Sequence, residues 1–184
     1  MKTLYETPNL ELRVLGRESA RLVLEFYSKN VDDFAKYEPL RKRDALSLNY
    51  HSSMMDYEME YFRQNSLLRL YLFRPFHPFE IVGTVSFRNI MSFPYNCATL
   101  GYKMDQDYRR MGYMEEAITR GMQVMDEELH LRRIEATVMP DNEPSYKLLE
   151  KLDFQREGLI RDRVNLNGTW EDHYLYSYIF SHNG

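Results

Sequence analysis

The order of predicted elements in the second half of the chain constrains the fold more than any other feature. Strand patterns at residues 98–104, 134–138 and 157–165 alternate with helical patterns at residues 114–129 and 143–152. Apolar side chains keep a helical spacing throughout the first of these helices. Each strand-helix-strand unit needs a crossover connection, so two such units predict a mixed sheet that is covered by helices.

The rest of the chain adds strands and helices to the same sheet. Residues 68–73 and 81–87 are predicted to be adjacent antiparallel strands, and Asn167-Gly168 is a strong hairpin signal before a last strand at 169–180. No repeat or flexible linker interrupts the sequence. We therefore predict one domain over residues 1–184, with an α/β fold, a mostly antiparallel sheet of about seven strands, and helices on both faces. The remaining predicted elements are a strand at 10–15 and helices at 19–30, 32–34 and 56–64.

Composition excludes several classes of protein. The 24 basic and 28 acidic residues give a net charge of −4, which provides no general attraction to nucleic acid or to an anionic membrane. The single cysteine, Cys97, excludes an intramolecular disulfide and a four-cysteine zinc site, and the five histidines lack metal-ligand spacing, so we expect no metal. No apolar run approaches the roughly 20 residues that span a bilayer. The first residues lack the apolar core of a secretory leader, so we expect a cytoplasmic protein.

The segment between the strand at 98–104 and the helix that follows has the character of an anion-binding site. A loop that leads into a helix N-terminus presents unpaired backbone N–H groups, and these bind a pyrophosphate well. Gly112 allows a close approach to the backbone, while Arg109 and Arg110 add positive charge. The same residues are equally compatible with an ordinary helix start that carries two solvated arginines.

This segment resembles the acyl-coenzyme A signature of the GNAT superfamily of N-acetyltransferases. The signature is Gln/Arg-x-x-Gly-x-Gly/Ala, and the sequence has Arg109-x-x-Gly112-x-Met114. Leu100-Gly101-Tyr102 before the loop and Asn142-x-x-Ser145 after the next strand agree with the superfamily. The segment from Leu149 to Gly158 resembles its "EKLGF..EG" ending. Residues 167–172 and 10–26 further resemble the branch of ribosomal-protein-alanine N-acetyltransferases.

Four residues depart from the pattern of the superfamily. Met114 stands where glycine or alanine is usual, and Asp153 stands where glycine is usual. Leu149 replaces a tyrosine that protonates the leaving thiolate in many members, and the branch uses a serine, here Ser145, instead. Thr99 replaces a glutamate that acts as general base. Met114 is therefore expected to be able to crowd the phosphate site, and the base has no clear assignment.

The resemblance implies that an amine attacks the thioester of acetyl-CoA directly, in a ternary complex. The pantetheine arm is expected in a gap between the strands at 100–104 and 134–138. Ser145 is expected to protonate the thiolate, with helix capping as its alternative, and Asn142 to bind the arm, again with capping as the alternative. Glu135 is a candidate base that equally fits a solvent-facing position, and Asp172 and His173 are weaker candidates. The expected acetyl-CoA-binding residues are Tyr102, Lys103, Met104, Arg109, Arg110, Met111, Gly112, Tyr113, Met114, Asn142, Ser145 and Tyr146.

The acceptor is not determined by the sequence. Residues 30–64 combine carboxylates and tyrosines, which either receive a cationic amine or form a solvated face. The run Arg41-Lys42-Arg43 is too short to indicate nucleic acid. A protein N-terminus and a small amine stay open as acceptors, as do a monomer and a homodimer. The alternative function is a CoA-binding regulatory or interaction module without catalysis, which Met114, Thr99 and Asp153 suggest.

Overall fold

A computed structural model describes residues 1–39 and 46–181, and in that part of the chain eight strands form one mixed sheet. The strands follow the spatial order β1-β2-β3-β4-β5-β6-β8-β7. Their bounds are β1 Leu4–Glu6, β2 Glu11–Arg13, β3 Leu68–Phe73, β4 Ile81–Met91, β5 Cys97–Met104, β6 Arg133–Val138, β7 Gln155–Leu166 and β8 Thr169–Ile179. Five α-helices of the described residues cover the sheet: α1 Ala20–Lys29, α2 Val31–Phe34, α3 Leu48–Arg63, α4 Tyr113–Leu129 and α5 Glu143–Lys151.

The topology confirms the predicted mixed sheet. β5 and β6 are parallel and are joined through α4, while every other neighbouring pair is antiparallel. The second crossover, through α5, carries the chain past β6 to the edge of the sheet, and β8 then returns between β6 and β7. Asn167 and Gly168, at the predicted hairpin, both have positive φ angles of 56° and 100°, as a tight two-residue turn between twisted strands requires.

Two predicted elements differ from the structure. The first strand is confined to Glu11–Arg13, and it pairs with a strand at Leu4–Glu6 that the sequence analysis missed. Three-residue strands contain too few positions for an alternating pattern, so their pairing is decided by the neighbouring sheet. The helix predicted at residues 56–64 begins at Leu48, because the Ser47 hydroxyl accepts a hydrogen bond from the Tyr50 amide at 3.2 Å and caps it.

The two faces of the sheet differ in chemistry. Successive side chains of a strand point to opposite faces, so every strand contributes to both. We call the face under α4 and α5 the apolar face; Leu70, Val85, Leu100 and Ile134 are buried there among the inner side chains of the two helices. We call the face toward α1, α2 and α3 the polar face. Its strand residues include Arg69, Thr84, Ser86, Arg88, Thr99, Lys103, Glu135 and Ser177.

Packing on the apolar face brings α4 unusually close to the sheet. A Cβ atom on Gly121 would lie 2.5 Å from the ring of Phe87, a buried residue of β4. Only glycine leaves room for that ring at this point of the helix. The close contact fixes the height of α4 above the sheet, and with it the position of the helix N-terminus beside the end of β5.

Candidate functional site

The parallel ladder between β5 and β6 is short, and the two strands part beyond it. Only three residue pairs form, and the last of them joins Thr99 to Glu135. β5 then continues along β4 to Met104, while β6 continues along β8 to Val138. The facing edges of the two strands are therefore left open over their last residues. The family resemblance implied a gap here, but Ile134 and Glu135 still pair with Ala98 and Thr99, so the gap begins after Glu135.

The loop after β5 is anchored by Asp105, a residue that sequence reasoning missed. Its carboxylate is almost fully buried and lies 2.8 Å from the Lys29 ammonium group. It also accepts a hydrogen bond from the side-chain amide of Asn30 at 3.1 Å. It also caps the short 3-10 turn at residues 106–108 by accepting from the amide of Asp107 at 3.0 Å. Burial opposes ionisation, yet these partners lower the pKa of Asp105 below its usual value. The only signal in the sequence was an aspartate that directly follows a strand.

The N-terminus of α4 opens toward the end of β5 without a side-chain cap. Arg110 and Gly112 both have positive φ angles, 63° and 81°, and these turn the chain sharply into the helix. No side chain accepts a hydrogen bond at this cap, and a Cβ on Gly112 would have no neighbour within 4 Å. The first amides of a helix have no partner within the helix. They are therefore available to an anion, and the helix dipole favours one.

The two arginines of the loop have different surroundings. The Arg109 guanidinium pairs with Asp33 of α2, with 3.2 Å between Nη1 and Oδ1. Although burial opposes it, Arg109 lowers the pKa of Asp33, with Lys36 contributing as well. Arg109 therefore ties α2 to the loop and is not simply a solvated side chain. Arg110 and Met111 are exposed.

The Met114 side chain points into the core and not toward the loop before α4. It is buried in the hydrophobic cluster of the apolar face, and Tyr113 packs partly against the same cluster. Only the backbone of Met114 is presented at the helix N-terminus. Asp153 also has a structural explanation, because it follows α5 with a φ of 63°, where glycine is favoured and aspartate is tolerated.

Ser145, in the first turn of α5, is paired with Tyr102 of β5. The two hydroxyl oxygens are 2.8 Å apart, and the Tyr102 hydroxyl lies 3.1 Å from the Ser145 carbonyl oxygen. Burial raises the pKa of Tyr102 to about 12, against the opposing effect of the hydrogen bond to Ser145. Asn142 begins the helix but makes no side-chain cap, so the capping alternative for its side chain is wrong. Tyr146 packs against the ring of Tyr174, edge to face, with 6.4 Å between centroids.

Glu135 lies on the polar face, partly exposed, at the point where β5 and β6 part. Its carboxylate accepts a hydrogen bond from Arg133 at 2.8 Å. The register places it directly beside Thr99, the position at which the superfamily pattern has a glutamate.

The two weaker candidates for the base, Asp172 and His173, lie near the start of β8. His173 is buried with its Nδ1 atom 3.1 Å from the Glu171 carbonyl oxygen, and Asp172 accepts from the amide of Asp162 at 2.9 Å.

The remaining part of the polar face holds paired charges. Lys103 lies 2.6 Å from Glu38 and over the rings of Tyr27 and Phe34, so its side chain faces away from the apolar side of the gap. A small pocket of about 50 Å³ lies between α1, α3 and β3. Its carboxylate, Glu58, is held by Arg69 at 2.6 Å and by the Tyr71 hydroxyl at 3.0 Å.

The remaining sequence predictions concern a basic run, metal ligands, membrane-spanning helices and the single cysteine. The run Arg41-Lys42-Arg43 and Asp44 lie outside the described residues. Among residues 1–39 and 46–181, no three His, Cys, Asp or Glu side chains group as metal ligands. Within the same ranges no helix is both long and apolar enough to cross a membrane. Burial, together with Glu135, raises the pKa of the Cys97 thiol, which disfavours the thiolate that a nucleophile needs.

Comparison with known proteins gives consistent matches. The profile of the acetyltransferase (GNAT) domain family matches residues 9–155. The chain is 29% identical to the [ribosomal protein uS5]-alanine N-acetyltransferase of Escherichia coli strain K12, over 95% of this chain and 89% of the relative. The structure of a ribosomal-protein-S5-alanine acetyltransferase from Vibrio fischeri superimposes with a TM-score of 0.91, at 28% identity and 97% coverage of both chains. RimJ of Mycobacterium smegmatis, solved in complex with CoA-disulfide, has the same fold, with a TM-score of 0.85 at 23% identity over 92% of this chain and 81% of that one.

Proposed function

Because this chain belongs to the acetyltransferase (GNAT) domain family and is an acetyl-CoA-dependent N-acetyltransferase, we propose that its acceptor is the α-amino group of a protein N-terminus. One observation carries the transfer reaction on which the proposal builds. The edges of β5 and β6 part after three residue pairs, and in the proposal this gap joins the two faces of the sheet. Ser145 lies on the apolar side of the gap and Glu135 on its polar side. A thioester that enters from one face can meet an amine that enters from the other.

The residues around the gap fit acetyl-CoA. The uncapped amides at 112–115 suit the pyrophosphate, and the exposed Arg110 adds positive charge beside them. The open edge of β5 at Tyr102, Lys103 and Met104 offers backbone groups to the amides of the pantetheine arm, as an added strand would. The side chain of Asn142 is not engaged in capping and is available to the same arm. Arg109, which is paired with Asp33, supports the loop in this proposal.

The reaction joins the acceptor nitrogen to the acetyl carbon and breaks the bond between that carbon and sulfur. The electron pair of the broken bond goes to sulfur, the nitrogen loses one proton, and the sulfur gains one. A backbone N–H of β5 near Tyr102 is positioned to polarise the carbonyl oxygen as it becomes an oxyanion. Ser145 supplies a hydrogen-bond donor for the thiolate. Holding both reactants in line supplies much of the rate, up to roughly 7–11 kcal/mol in favourable cases.

Glu135 is the proposed acceptor of the proton from the amine, through water. It lies beside Thr99, so its carboxylate comes from the neighbouring strand to the region where the superfamily pattern places a base. Its carboxylate is held in place by the hydrogen bond from Arg133. An amine with an ordinary pKa near 8–10 must lose a proton before it attacks.

The geometry of the polar face favours a peptide over a small cationic amine. A small amine needs an enclosed acidic pocket. The pocket of about 500 Å³ between residues 16–18 and α3 is open to the surface and holds two arginines beside its carboxylates, and the pocket between α1, α3 and β3 has only about 50 Å³. Its one carboxylate, Glu58, already balances the charge of Arg69. Two of the relatives that match over nearly the whole chain are named for acetylating an alanine of a ribosomal protein. The proposal also includes a cytoplasmic location and a monomer or homodimer.

An acceptor comparison tests this function. We would measure thiol release and locate the acetyl group by mass spectrometry, with a peptide that begins with alanine and contains one internal lysine. We expect acetylation at the α-amino group only. The matched control is the same peptide with a blocked N-terminus, which should give no product. A higher kcat/KM for polyamines or amino sugars than for the free peptide would contradict the proposed acceptor.

The non-catalytic alternative finds no support. Of the three residues that suggested it, Met114 is packed in the core and Asp153 occupies a left-handed position after α5. The third, Thr99, has Glu135 as its neighbour across the ladder.

A further inference from the structure

Tyr102 is the one residue of β5 whose side chain is bonded to the proposed proton donor. Its hydroxyl oxygen lies 2.8 Å from Ser145 Oγ and 3.1 Å from the Ser145 carbonyl oxygen. The two residues come from different elements, β5 and α5, and are 43 positions apart. This contact between a strand and a helix adds no backbone pairing to the sheet. We therefore looked for a role of the contact in the site.

The hydroxyl of Tyr102 has two acceptors within reach and one hydrogen to donate. When it donates to the Ser145 carbonyl oxygen, its own oxygen can accept the hydrogen of Ser145 Oγ, and that hydrogen is then occupied. When it donates to Ser145 Oγ, the serine hydrogen is free to point elsewhere. The second arrangement also polarises the serine hydroxyl and strengthens it as a donor, because hydrogen bonds in a chain reinforce one another.

We propose that Tyr102 is a positioning residue that orients the Ser145 hydroxyl toward the leaving sulfur and strengthens its hydrogen bond to the thiolate. This inference rests on the proposed role of Ser145. Tyr102 itself transfers no proton. Burial keeps its pKa at about 12, so the phenol stays neutral and acts as a donor throughout the reaction. The proton that reaches sulfur comes through Ser145, whose hydroxyl takes a replacement proton from solvent water, and the acceptor nitrogen gives up one proton through water to Glu135.

The first test is a double-mutant cycle on kcat with saturating acetyl-CoA. Ser145→Ala should lower kcat about 100-fold, the scale of one acid-base group. Tyr102→Phe should lower it about tenfold, the scale of one neutral hydrogen bond, with little change in the KM for acetyl-CoA. The double variant should be no slower than Ser145→Ala, because Tyr102 acts only through the serine. Additive losses would indicate a separate structural effect of Tyr102 and would overturn the proposal.

Tyr176 provides the matched control. It is a buried tyrosine of β8 whose hydroxyl also bonds to α5, 2.8 Å from Glu150 Oε1, and burial raises its pKa to about 12 as well. Tyr176→Phe therefore removes a similar hydroxyl from the same interface without touching Ser145. We expect its kcat to equal that of the wild type. If Tyr102→Phe behaves like Tyr176→Phe, the proposal is overturned while the acetyltransferase function stands.

A binding measurement removes the dependence on the acceptor. The affinities of CoA and of desulfo-CoA are compared between pH 7 and pH 9.5, as the thiol of CoA ionises. In the wild type, the preference for CoA should grow with pH, because Ser145 donates to the thiolate. Tyr102→Phe should make the increase in the affinity ratio of CoA to desulfo-CoA about tenfold smaller, and Ser145→Ala should abolish that increase. If the affinity ratio increases with pH in Tyr102→Phe as much as in the wild type, the positioning role is overturned. Failure of the peptide as acceptor would leave this readout intact and would affect only the proposed acceptor.

Discussion

The apolar and polar faces of one sheet are stabilised in different ways. On the apolar face, α4 and α5 cover a continuous cluster of buried side chains, and Gly121 lets the ring of Phe87 touch the helix. On the polar face, a smaller cluster around Tyr27 and Phe73 is surrounded by ion pairs, among them Glu58–Arg69 and Glu38–Lys103. The cofactor groups are proposed on the first face and the acceptor on the second.

The difference shows how one fold can combine a constant and a variable substrate. Close packing tolerates few changes, which suits a site for a cofactor that is always the same. Charged networks hold side chains in defined directions without requiring close packing. This suits a surface that must receive one amine and reject others. The two faces should therefore respond differently to substitution, salt and pH.

The largest effect is expected at Glu58 on the polar face. Glu58→Gln leaves the buried guanidinium of Arg69 without its carboxylate and should lower the free energy of unfolding by about 3 kcal/mol, as broken buried pairs do. Urea denaturation measures it. Asp56→Asn on the same helix, which removes an exposed pair with Arg17, is the control and should cost no more than about 1 kcal/mol. Equal losses in the two variants would mean that burial does not separate these ion pairs.

The next effect is expected at the cofactor site. Gly112→Val should raise the dissociation constant of acetyl-CoA at least about tenfold, or about 1.4 kcal/mol, because a branched Cβ would project into the open space before α4. Isothermal titration calorimetry measures it. Gly168→Val is the control, since Gly168 also has a positive φ and an empty surrounding but lies in the last hairpin. Both variants should lose stability through backbone strain, and only Gly112→Val should lose affinity. Unchanged affinity in folded Gly112→Val would refute the placement of the pyrophosphate.

A smaller effect is expected inside the apolar face. Gly121→Ala forces the ring of Phe87 to move, at about 1–3 kcal/mol, while alanine returns about 1 kcal/mol of helix propensity. The net loss should be about 1 kcal/mol and independent of salt, as packing terms are. Thermal unfolding at two salt concentrations measures it. Gly158→Ala, where a Cβ meets nothing within 4 Å, should be close to neutral, and Phe87→Leu should relieve part of the Gly121→Ala loss. A strong salt dependence would contradict the contrast between the faces.

The smallest effect is a pH dependence on the polar face. Arg133 and then Ser177 lower the pKa of Glu157 to about 2, with burial acting slightly in the opposite direction. A carboxyl group with a lowered folded pKa stabilises the protein above its unfolded value, about 4.3, and loses that contribution as the pH falls toward 2. Glu157→Gln should therefore be less stable than the wild type at pH 7, and the two should converge near pH 2. The side chain is 39% exposed, so high salt should shrink the difference. A constant difference across this pH range would rule out the ionised pair as its source.

The elements that carry the proposed cofactor site were predicted well because they are close in sequence. Strand, loop and helix follow one another from Cys97 to Leu129, and each has its own local signal. The parallel arrangement of β5 and β6 then follows from the rule for crossover connections. The gap between these strands was expected from the family resemblance, and the structure corrected only the residue at which it begins.

The support of the site could not be predicted in the same way. Asp105 contacts Asn30 across 75 positions, and Arg109 contacts Asp33 across 76. Such separations leave no periodic pattern, because each partner occupies an unremarkable position in its own segment. Nor could the sequence decide the direction of the Met114 side chain, which fits both the cofactor motif and the apolar stripe of α4.

The sequence by itself determined most of the elements, the mixed sheet and the loop that precedes α4, since these depend on periodicity, turn residues and short-range contacts. The tertiary structure alone decided that Glu135 lies beside Thr99 and that Tyr102 meets Ser145. The physical reason is that strand register and helix position are set by the packing of whole faces, and a pair of distant residues becomes a site only after both are fixed.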